Sequence, residues 1–277
     1  MKPRPQRPPR RAESAGRPTK LARVKKRLDV LLVERGLAES RAQAQALVLA
    51  GRVRGHEKAG EQVDDAAPLE VEPGPRFVSR GGEKLANALA ALRLDAAGED
   101  CLDVGASTGG FTDCLLQAGA ARVCALDVGY GQLHPKLRAD PRVTVLERTN
   151  VRHVDCAELP FSPTFVVCDV SFIGLDKALP AALRCAAPGW RALALVKPQF
   201  EAGPADVGKG GVVRDPDVHR RVLRDAVARA PSWGAHVLDV VDSGLPGPKG
   251  NREFFLYLAA EPSGAALDDA RIESAVG

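Results

Sequence analysis

Short apolar runs alternate with helix-like stretches through the middle of this 277-residue chain, and this alternation limits the possible folds more than any other feature. The runs are CLDV (101–104), RVCALDV (122–128), RVTVLE (142–147), FVVCDV (165–170) and RALALV (191–196). Apolar runs separated by helices are typical of parallel strands that are buried on both faces. A doubly wound α/β domain is therefore predicted.

The end of the chain departs from this alternation. Two more strand-like stretches, AHVLDVVDSG and NREFFLYL, are separated only by LPGPKG. Parallel neighbours need a connection of about a dozen residues or more, so this last pair is predicted to be antiparallel. The outline is that of a Rossmann-like methyltransferase, with a mostly parallel seven-stranded sheet that ends in an antiparallel hairpin. A helix is predicted within 79–92, and residues 263–277 are expected to form a frayed C-terminal tail.

The first 26 residues carry ten lysines and arginines against one glutamate, whereas the whole chain has a net charge of only +4. A segment so rich in proline and arginine and so poor in apolar residues is predicted to be a basic disordered tail. It either binds phosphates of a nucleic acid or is a solvated, dispensable extension, and its composition fits both.

Residues 27–75 predict a small α+β domain in front of the larger domain at 76–262. Helical spacing begins after residue 27, Ser40 is placed to cap a second helix over 41–51, and EPGPRF (72–77) is a predicted linker. The RLD opening, SRAQAQALVLAG, and GRVRG followed by KAG resemble the RNA-binding fold named after small-subunit ribosomal protein four, here called the S-four fold.

This resemblance implies that the small domain binds structured RNA through basic side chains. The candidate RNA-binding residues are Arg27, Arg35, Arg41, Arg52 and Arg54. Arg54 stands where the S-four fold usually has an asparagine before the hairpin glycine, which is a departure from the pattern. The alternative is a solvated basic face.

The turn after the first strand, DVGASTGGFTDCLL, is where a doubly wound sheet binds its nucleotide. It lacks the lysine of a P-loop and the GxGxxG spacing of a dinucleotide site. Asp103 would repel a diphosphate but suits ammonium, sulfonium and ribose hydroxyl groups, and S-adenosylmethionine carries all three. The predicted cofactor-binding residues are Asp103, Gly105, Ala106, Ser107, Gly109, Gly110, Phe111, Asp127, Val128 and Asn150.

The same turn resembles the DxGAxxGGF form found in FtsJ-like RNA ribose methyltransferases. With the S-four module in front, the motifs SRGGEKL, DVGYGQL, CDVSFI, LVKPQFEAG and GNREFFLYL resemble, in order, the TlyA family of ribosomal RNA 2′-O-methyltransferases over residues 27–260. The resemblance implies S-adenosylmethionine as cofactor, ribosomal RNA or ribosomal subunits as partners, and cytidine as the target nucleotide.

Asp169 and Lys197 end the fourth and fifth strand-like runs, and Glu253 begins the last one. The carboxyl ends of parallel strands share one edge, and an antiparallel last strand begins at that edge, so these side chains are expected to converge. The FtsJ-like family uses a Lys-Asp-Lys-Glu tetrad, and the resemblance assigns Lys84, Asp169, Lys197 and Glu253 to it. Lys197 is expected to activate the hydroxyl or take its proton, with Asp169 orienting both. Lys84 and Glu253 are expected to hold the ribose.

The motifs that the sequence lacks reduce the number of atoms that could accept the methyl group. The turn after the fourth strand reads DVSF instead of the NPPY-like turn of amine methyltransferases, and no Pro-Cys pair offers a nucleophile for carbon methylation. Ribose oxygen remains. Three alternative functions stay open: a non-catalytic RNA-binding or assembly factor, a small-molecule methyltransferase, and a membrane-active haemolysin, a name borne by some relatives. Against the haemolysin, no apolar run reaches the roughly 18 to 20 residues of a membrane span.

Two features of the loops have two interpretations each. Phe172 either stacks on the target base or belongs to the core. The glycine-rich stretch EAGPADVGKGGVV between Phe200 and Arg214 is either a plain connection or a loop that closes over substrate, with Lys209 and Arg214 near phosphates.

Six cysteines at 101, 114, 124, 156, 168 and 185 lie in apolar segments without a CxxC pair. This spacing predicts buried reduced thiols and no metal site. No apolar segment typical of a secretory signal is present. A cytoplasmic protein without membrane association is therefore predicted, and the oligomeric state stays open.

Overall fold

The structure, a computed structural model, describes residues 24–262 and 267–277. The chain divides into two units, the first ending at Gly74 and the second beginning at Pro75. This division falls inside the linker predicted at 72–77. The predicted basic tail lies outside the described residues up to position 23.

The N-terminal unit contains β1 (Lys25–Arg27), α1 (Leu28–Glu34), α2 (Arg41–Leu49) and β2 (Gln62–Asp64). Its core is built mainly from aliphatic side chains of the two helices, including Leu28, Leu31, Leu32, Leu47 and Val48. Ser40 caps α2 as predicted, because its Oγ accepts a hydrogen bond from Gln43 N at 3.2 Å.

The first strand begins inside the segment that the sequence assigns to the tail. Lys25 and Lys26 pair antiparallel with Asp64 and Val63 of β2. A tail boundary at residue 26 is therefore wrong, because these two lysines are held by a backbone ladder that their composition does not reveal.

The second unit begins with α3 (Arg80–Leu92) and is built on one sheet. Its strands are β3 (Asp100–Val104), β4 (Arg122–Leu126), β5 (Val143–Leu146), β6 (Phe165–Cys168), β7 (Arg191–Val196), β8 (His236–Asp242) and β9 (Phe254–Ala259). The strand order across this seven-stranded sheet of the described residues is β5-β4-β3-β6-β7-β9-β8. The strands β3 to β7 are parallel, and β9 is antiparallel to both β7 and β8. The predicted Rossmann-like methyltransferase topology is confirmed.

Helices cover both faces of this sheet, so its strands are buried on both sides. The helices after α3 are α4 (Gly110–Gln117), α5 (Pro135–Arg138), α6 (Leu175–Arg184), α7 (Pro198–Glu201), α8 (Pro216–Arg229) and α9 (Asp269–Val276). Short 3₁₀ turns occur at Val151–His153, Cys156–Glu158, Pro204–Asp206 and Ala230–Trp233. Leu102 and Val166 belong to one hydrophobic cluster, whereas Phe165 and Val167 belong to the other. This two-sided burial explains the continuous apolar runs in the sequence.

The cysteines do not all remain free thiols. Cys156 and Cys185 form a disulfide, whereas the other four lie buried and unpaired among the described residues. The prediction of reduced thiols is wrong for this pair. Cys156 lies in a 3₁₀ turn after β5 and Cys185 caps the end of α6, and the fold brings their Cα atoms to 4.9 Å, a proximity that the sequence does not show.

The last residues form a helix where the sequence predicts a frayed tail. Ile272 and Val276 of α9 are buried against the second unit, and Arg224 of α8 pairs with Asp269 at 2.8 Å. The expectation of a tail over 263–277 is therefore wrong for 269–276, because buried apolar side chains and an ion pair with α8 dock this short helix. Within the described residues, no helix is both long and apolar enough to cross a membrane.

Replacing Ile272 with alanine tests whether α9 is an integral part of the unit. The variant is expected to lower the free energy of unfolding by about 2 to 4 kcal/mol, because it removes a buried aliphatic side chain. Ser274→Ala changes an exposed position of the same helix and should stay within about 0.5 kcal/mol of the parent. Urea denaturation measures both, and equal midpoints for parent and Ile272→Ala would show that burial of Ile272 does not stabilise the unit.

Candidate active site

A cavity of about 560 Å³ opens at the carboxyl edge of the parallel strands. Its size is typical of a site for a small molecule. The lining contains the four tetrad residues together with Asp103, Gly105, Ala106, Ser107, Gly110 and Phe111. Most of the side chains predicted from separate parts of the sequence thus border one space.

The turn between β3 and α4 forms one wall of the cavity, and Gly105 is its tightest point. Gly105 has φ +83°, and a Cβ atom there would lie 2.5 Å from the carbonyl oxygen of Asp169. A side chain would therefore separate this turn from the strand that carries Asp169. Gly109, at φ +95°, does not line the cavity; a Cβ there would overlap Leu137, so it packs the turn against α5.

Asp103 is fully buried at the end of β3. Its Oδ2 accepts hydrogen bonds from Thr112 N at 2.9 Å and from Thr112 Oγ1 at 2.6 Å. Its Oδ1 is buried and has no hydrogen-bond partner among residues 24–262 and 267–277. Burial raises the pKa of this carboxyl to about 7, although the bonds from Thr112 oppose the shift. A cation entering the cavity would satisfy the free oxygen.

Asp127 follows β4 and stabilises the turn between β3 and α4 by hydrogen bonding. Its Oδ2 accepts a hydrogen bond from Ser107 N at 2.8 Å, and its Oδ1 accepts one from Gly129 N at 2.6 Å. The cavity lining within the described chain does not include Asp127, Val128 or Asn150. Asn150 instead accepts a hydrogen bond from Arg152 N at 3.1 Å. The predicted contacts of these three residues with a cofactor stay predictions.

Lys84 and Glu253 form a buried ion pair, although 169 positions separate them in the chain. Lys84 Nζ lies 2.5 Å from Glu253 Oε2, and the two side chains are 8% and 1% exposed. The pairing compensates two charges whose separate burial would be unfavourable. Gly247 packs against Glu253 Oε1 so closely that a Cβ atom would overlap it.

Lys197 and Asp169 form a second ion pair, which is more exposed than the first. Lys197 Nζ lies 2.5 Å from Asp169 Oδ1, and the side chains are 12% and 23% exposed. This contact is not aligned as a hydrogen bond, whereas Lys197 Nζ donates one to Ser171 Oγ at 2.8 Å. The amine is thus held by two groups while facing the cavity.

The cavity also contains side chains that the sequence analysis did not select. They include Ser79, Arg80, Ser171, Gln199, Lys249 and Asn251. Each lies within or beside a motif quoted for the resemblance, or in the short connection before β9. Their position close to the tetrad residues in the sequence could have pointed to them. Only the folded chain, however, shows which residues of these motifs face the cavity and which do not.

An aromatic pair borders the cavity. Phe172 is 88% exposed, so the interpretation as a core residue is wrong. Its backbone has φ +69°, in the left-handed region that β-carbon-bearing residues rarely adopt, and its ring centroid lies 5.3 Å from that of Phe200. The turn after β6 therefore presents an aromatic face to solvent beside Lys197 and Ser171.

The predicted RNA-binding arginines of the first unit have intramolecular partners. Arg27 and Arg41 both bind the buried carboxylate of Asp29, at 3.0 and 2.9 Å, and hold its pKa well below its ordinary value. Arg35 donates to the carbonyl oxygens of Ala67 and Asp65. Arg52 donates to the carbonyl of Glu72, and Arg54 pairs with Glu70 at 3.0 Å. Several of these guanidinium groups remain about half exposed or more, for example 57% for the side chain of Arg41.

In the part of the chain that the structure describes, no cluster of His, Cys, Asp and Glu is arranged to hold a metal ion. Lys209 and Arg214, predicted near phosphates, are outside the described cavity lining, whereas Val207 and Gly211 of the same glycine-rich stretch belong to it.

The FtsJ-like methyltransferase family matches residues 77–260, and the S4 domain matches residues 26–54. Fold and cavity thus define an FtsJ-like methyltransferase preceded by an S4 domain, the S-four fold of the sequence analysis. The 16S/23S rRNA (cytidine-2′-O)-methyltransferase TlyA of Mycobacterium tuberculosis is 47% identical over 256 residues, which are 90% of this chain and 95% of that protein. The chain belongs to the TlyA family.

Two further relatives carry haemolysin names. Hemolysin A of Brachyspira hyodysenteriae is 38% identical over 237 residues, covering 83% of this chain and 98% of that protein. The solved structure of a hemolysin-named protein from Streptococcus thermophilus has a TM-score of 0.70 and 41% identity, covering 92% of this chain and 95% of that one.

S-adenosylmethionine is the cofactor of this methyltransferase. The residues of the cavity fit it, because the unpartnered Asp103 Oδ1 is placed to receive a cationic group and Gly105 lets the turn pack against the Asp169 carbonyl at the cavity wall. Asp103 and the turn from Gly105 to Phe111 would hold it.

Replacing Gly105 with alanine is expected to weaken binding of S-adenosylmethionine more than tenfold, because the new methyl group would force the turn away from Asp169. Gly98→Ala is the matched control, since Gly98 has φ +76° and no described atom within 4 Å of an added Cβ. Equilibrium dialysis measures both dissociation constants. If Gly105→Ala binds within twofold of the parent, the close approach is not needed for the cofactor.

The pH dependence of cofactor binding tests the role of Asp103. Below pH 7 the empty site holds a protonated, neutral carboxyl, because its folded pKa of about 7 lies above the ordinary value. A cation then binds only after the proton leaves, so the dissociation constant should rise about tenfold from pH 8 to pH 6. Asp103→Asn should bind weakly at both values. An unchanged dissociation constant across this range in the parent protein would contradict this role.

Proposed function

We propose that this protein transfers a methyl group from S-adenosylmethionine to a ribose 2′-hydroxyl of ribosomal RNA, at a cytidine. The observation that carries the proposal is the position of Lys84, Asp169, Lys197 and Glu253 around one cavity with the glycine turn after β3. The relative from Mycobacterium tuberculosis has this activity in its name.

The tetrad suits a hydroxyl acceptor. A ribose hydroxyl is a weak acid and a poor nucleophile, so it needs orientation and a group that takes its proton. Lys197 is the amine best placed for both tasks, because Asp169 and Ser171 fix its Nζ from two sides. Lys197 would orient the hydroxyl and, in its neutral form, accept the proton as the oxygen gains its methyl group.

The Lys84–Glu253 ion pair has a different task in this proposal. Lys84 and Glu253 are buried and paired at 2.5 Å, so they form a rigid wall instead of a free acid or base. The polar atoms of Lys84 and Glu253 that are not used in their mutual contact would form hydrogen bonds with the ribose and hold it. S-adenosylmethionine, when bound, supplies a methyl group on a positively charged sulfur.

RNA would be recruited by the first unit and by aromatic stacking at the cavity. The S4 domain match and the basic residues Arg27, Arg35, Arg41, Arg52 and Arg54 support RNA binding there. Since these guanidinium groups already have protein partners, they would contact phosphates with their exposed edges. Phe172, exposed beside Lys197, is placed to stack on the base of the target nucleotide.

A cytoplasmic location would follow from ribosomal RNA as substrate. The argument from reduced cysteines no longer supports this location, because Cys156 and Cys185 are bonded. The proposal for the compartment therefore rests on the substrate.

Methyl transfer to undermodified ribosomal RNA or subunits, followed by alkaline hydrolysis, tests the function. A 2′-O-methyl group blocks cleavage at its nucleotide, so the position and the chemistry are read together. The parent protein is expected to protect a cytidine, and Lys197→Ala should lower the turnover number at least about a hundredfold. Lys177→Ala, which removes an exposed lysine of α6, should leave turnover unchanged.

Two results would contradict the proposal. The first is a parent protein that labels neither free ribosomal RNA nor either subunit, which would favour a non-catalytic assembly factor. The second is full activity of Lys197→Ala, which would remove the tetrad from the reaction.

A further inference from the structure

Residues 207–213, here called the glycine loop, form a tight turn beside the cavity. Gly208 N donates to Val212 O at 3.1 Å, and Gly211 N donates to Gly208 O at 3.0 Å. Gly210 and Gly211 have φ +88° and +79°, values that residues with a Cβ rarely adopt. Val207 and Gly211 line the cavity, so the conformation of this loop shapes its wall.

Asn251 fastens the glycine loop to the segment that enters β9. Its side chain is buried, with 2% of the residue exposed. Its Oδ1 accepts a hydrogen bond from Val213 N at 2.9 Å, and its Nδ2 donates one to Gly211 O at 2.9 Å. Its own carbonyl accepts a hydrogen bond from Gly247 N at 2.8 Å. One residue thus holds the loop at two points and the connection before β9 at a third.

Asn251 lies close to Glu253 of the tetrad. Asn251 lines the cavity two positions before Glu253, whose carbonyl accepts a hydrogen bond from Ser243 N at 2.9 Å. On its other side the loop is held by His219, whose Nε2 lies 3.1 Å from Val213 O. Loss of the Asn251 amide would leave the buried N–H of Val213 and the partly buried carbonyl of Gly211 without this partner, which favours opening of the loop.

We propose that Asn251 is a positioning residue for methyl transfer, which holds the glycine loop in place as a wall of the acceptor side of the cavity. This inference rests on the proposed function. The glycine loop adjoins Lys249 and Asn251, which lie in the same connection before β9 as Glu253, the partner of Lys84. The cofactor turn packs instead against Asp169, Leu133 and Leu137. Asn251 therefore acts on the RNA substrate and not on cofactor binding.

Asn251→Ala in the full-length protein tests the role. The Michaelis constant for the RNA substrate should rise, and kcat/KM should fall at least tenfold. The dissociation constant of S-adenosylmethionine should stay within twofold of the parent. Hydrogen–deuterium exchange should accelerate at 207–213 while the strands β3 to β7 keep their protection. A residue that only stabilises the fold would not produce this separation of substrate and cofactor effects.

A matched glycine pair tests the loop without changing Asn251. Gly210→Ala strains the loop at φ +88°, and Gly234→Ala introduces the same kind of strain at φ +73° after the last 3₁₀ turn. Neither added Cβ has a described neighbour within 4 Å. Gly210→Ala should lower kcat/KM for RNA at least fivefold, whereas Gly234→Ala should keep the parent value. If Asn251→Ala does not fold, this pair of variants still tests whether the conformation of the glycine loop affects the RNA kinetics.

Three results would overturn the inference. One is unchanged RNA kinetics in Asn251→Ala despite faster exchange at 207–213. Another is an equal loss of affinity for S-adenosylmethionine, which would place the effect on the whole cavity. The third is equal RNA kinetics for Gly210→Ala and Gly234→Ala. A parent protein that methylates no RNA is a separate result, because it overturns the proposed function itself and leaves the exchange data to report on the loop alone.

Discussion

The buried ion pair between Lys84 and Glu253 is the constraint on which the site depends. Two opposite charges lie 2.5 Å apart with almost no exposure, and removal of either one would leave the other buried without compensation. The pair exists only if α3 lies beside the start of β9, so it fixes this helix against the segment that enters β9. Asp169 and Lys197 then follow from the geometry of parallel strands, whose carboxyl ends share one edge.

The fold was largely predictable, because its causes are local and periodic. The apolar runs at 101–104 and 191–196 mark strands buried on both faces, and the short LPGPKG connection allows only an antiparallel last pair. Ser40 was found as a helix cap for the same reason, since capping needs only neighbouring residues. The α9 helix was not predicted, because its position depends on the burial of Ile272 and Val276 against a surface that is distant in sequence.

The sequence identified most of the residues that line the site, but it predicted few of the contacts between them. Strand ends identify Asp169 and Lys197, but no spacing shows that Ser171 holds the lysine amine. The sequence places Asp127 near a ribose, but it does not show that the carboxylate also accepts hydrogen bonds from the backbone of Ser107 and Gly129. Asn251 and the Cys156–Cys185 disulfide depend on long-range proximity, which only the folded chain supplies.

The strand order has a consequence for synthesis on the ribosome. Because β9 lies between β7 and β8, the penultimate strand cannot join the sheet until the final strand has been made. A nascent chain that ends before Glu253 therefore exposes the unpaired edge of β7, and its cavity lacks the acid that pairs with Lys84. Completion of the sheet and formation of the Lys84–Glu253 pair are therefore the same late event.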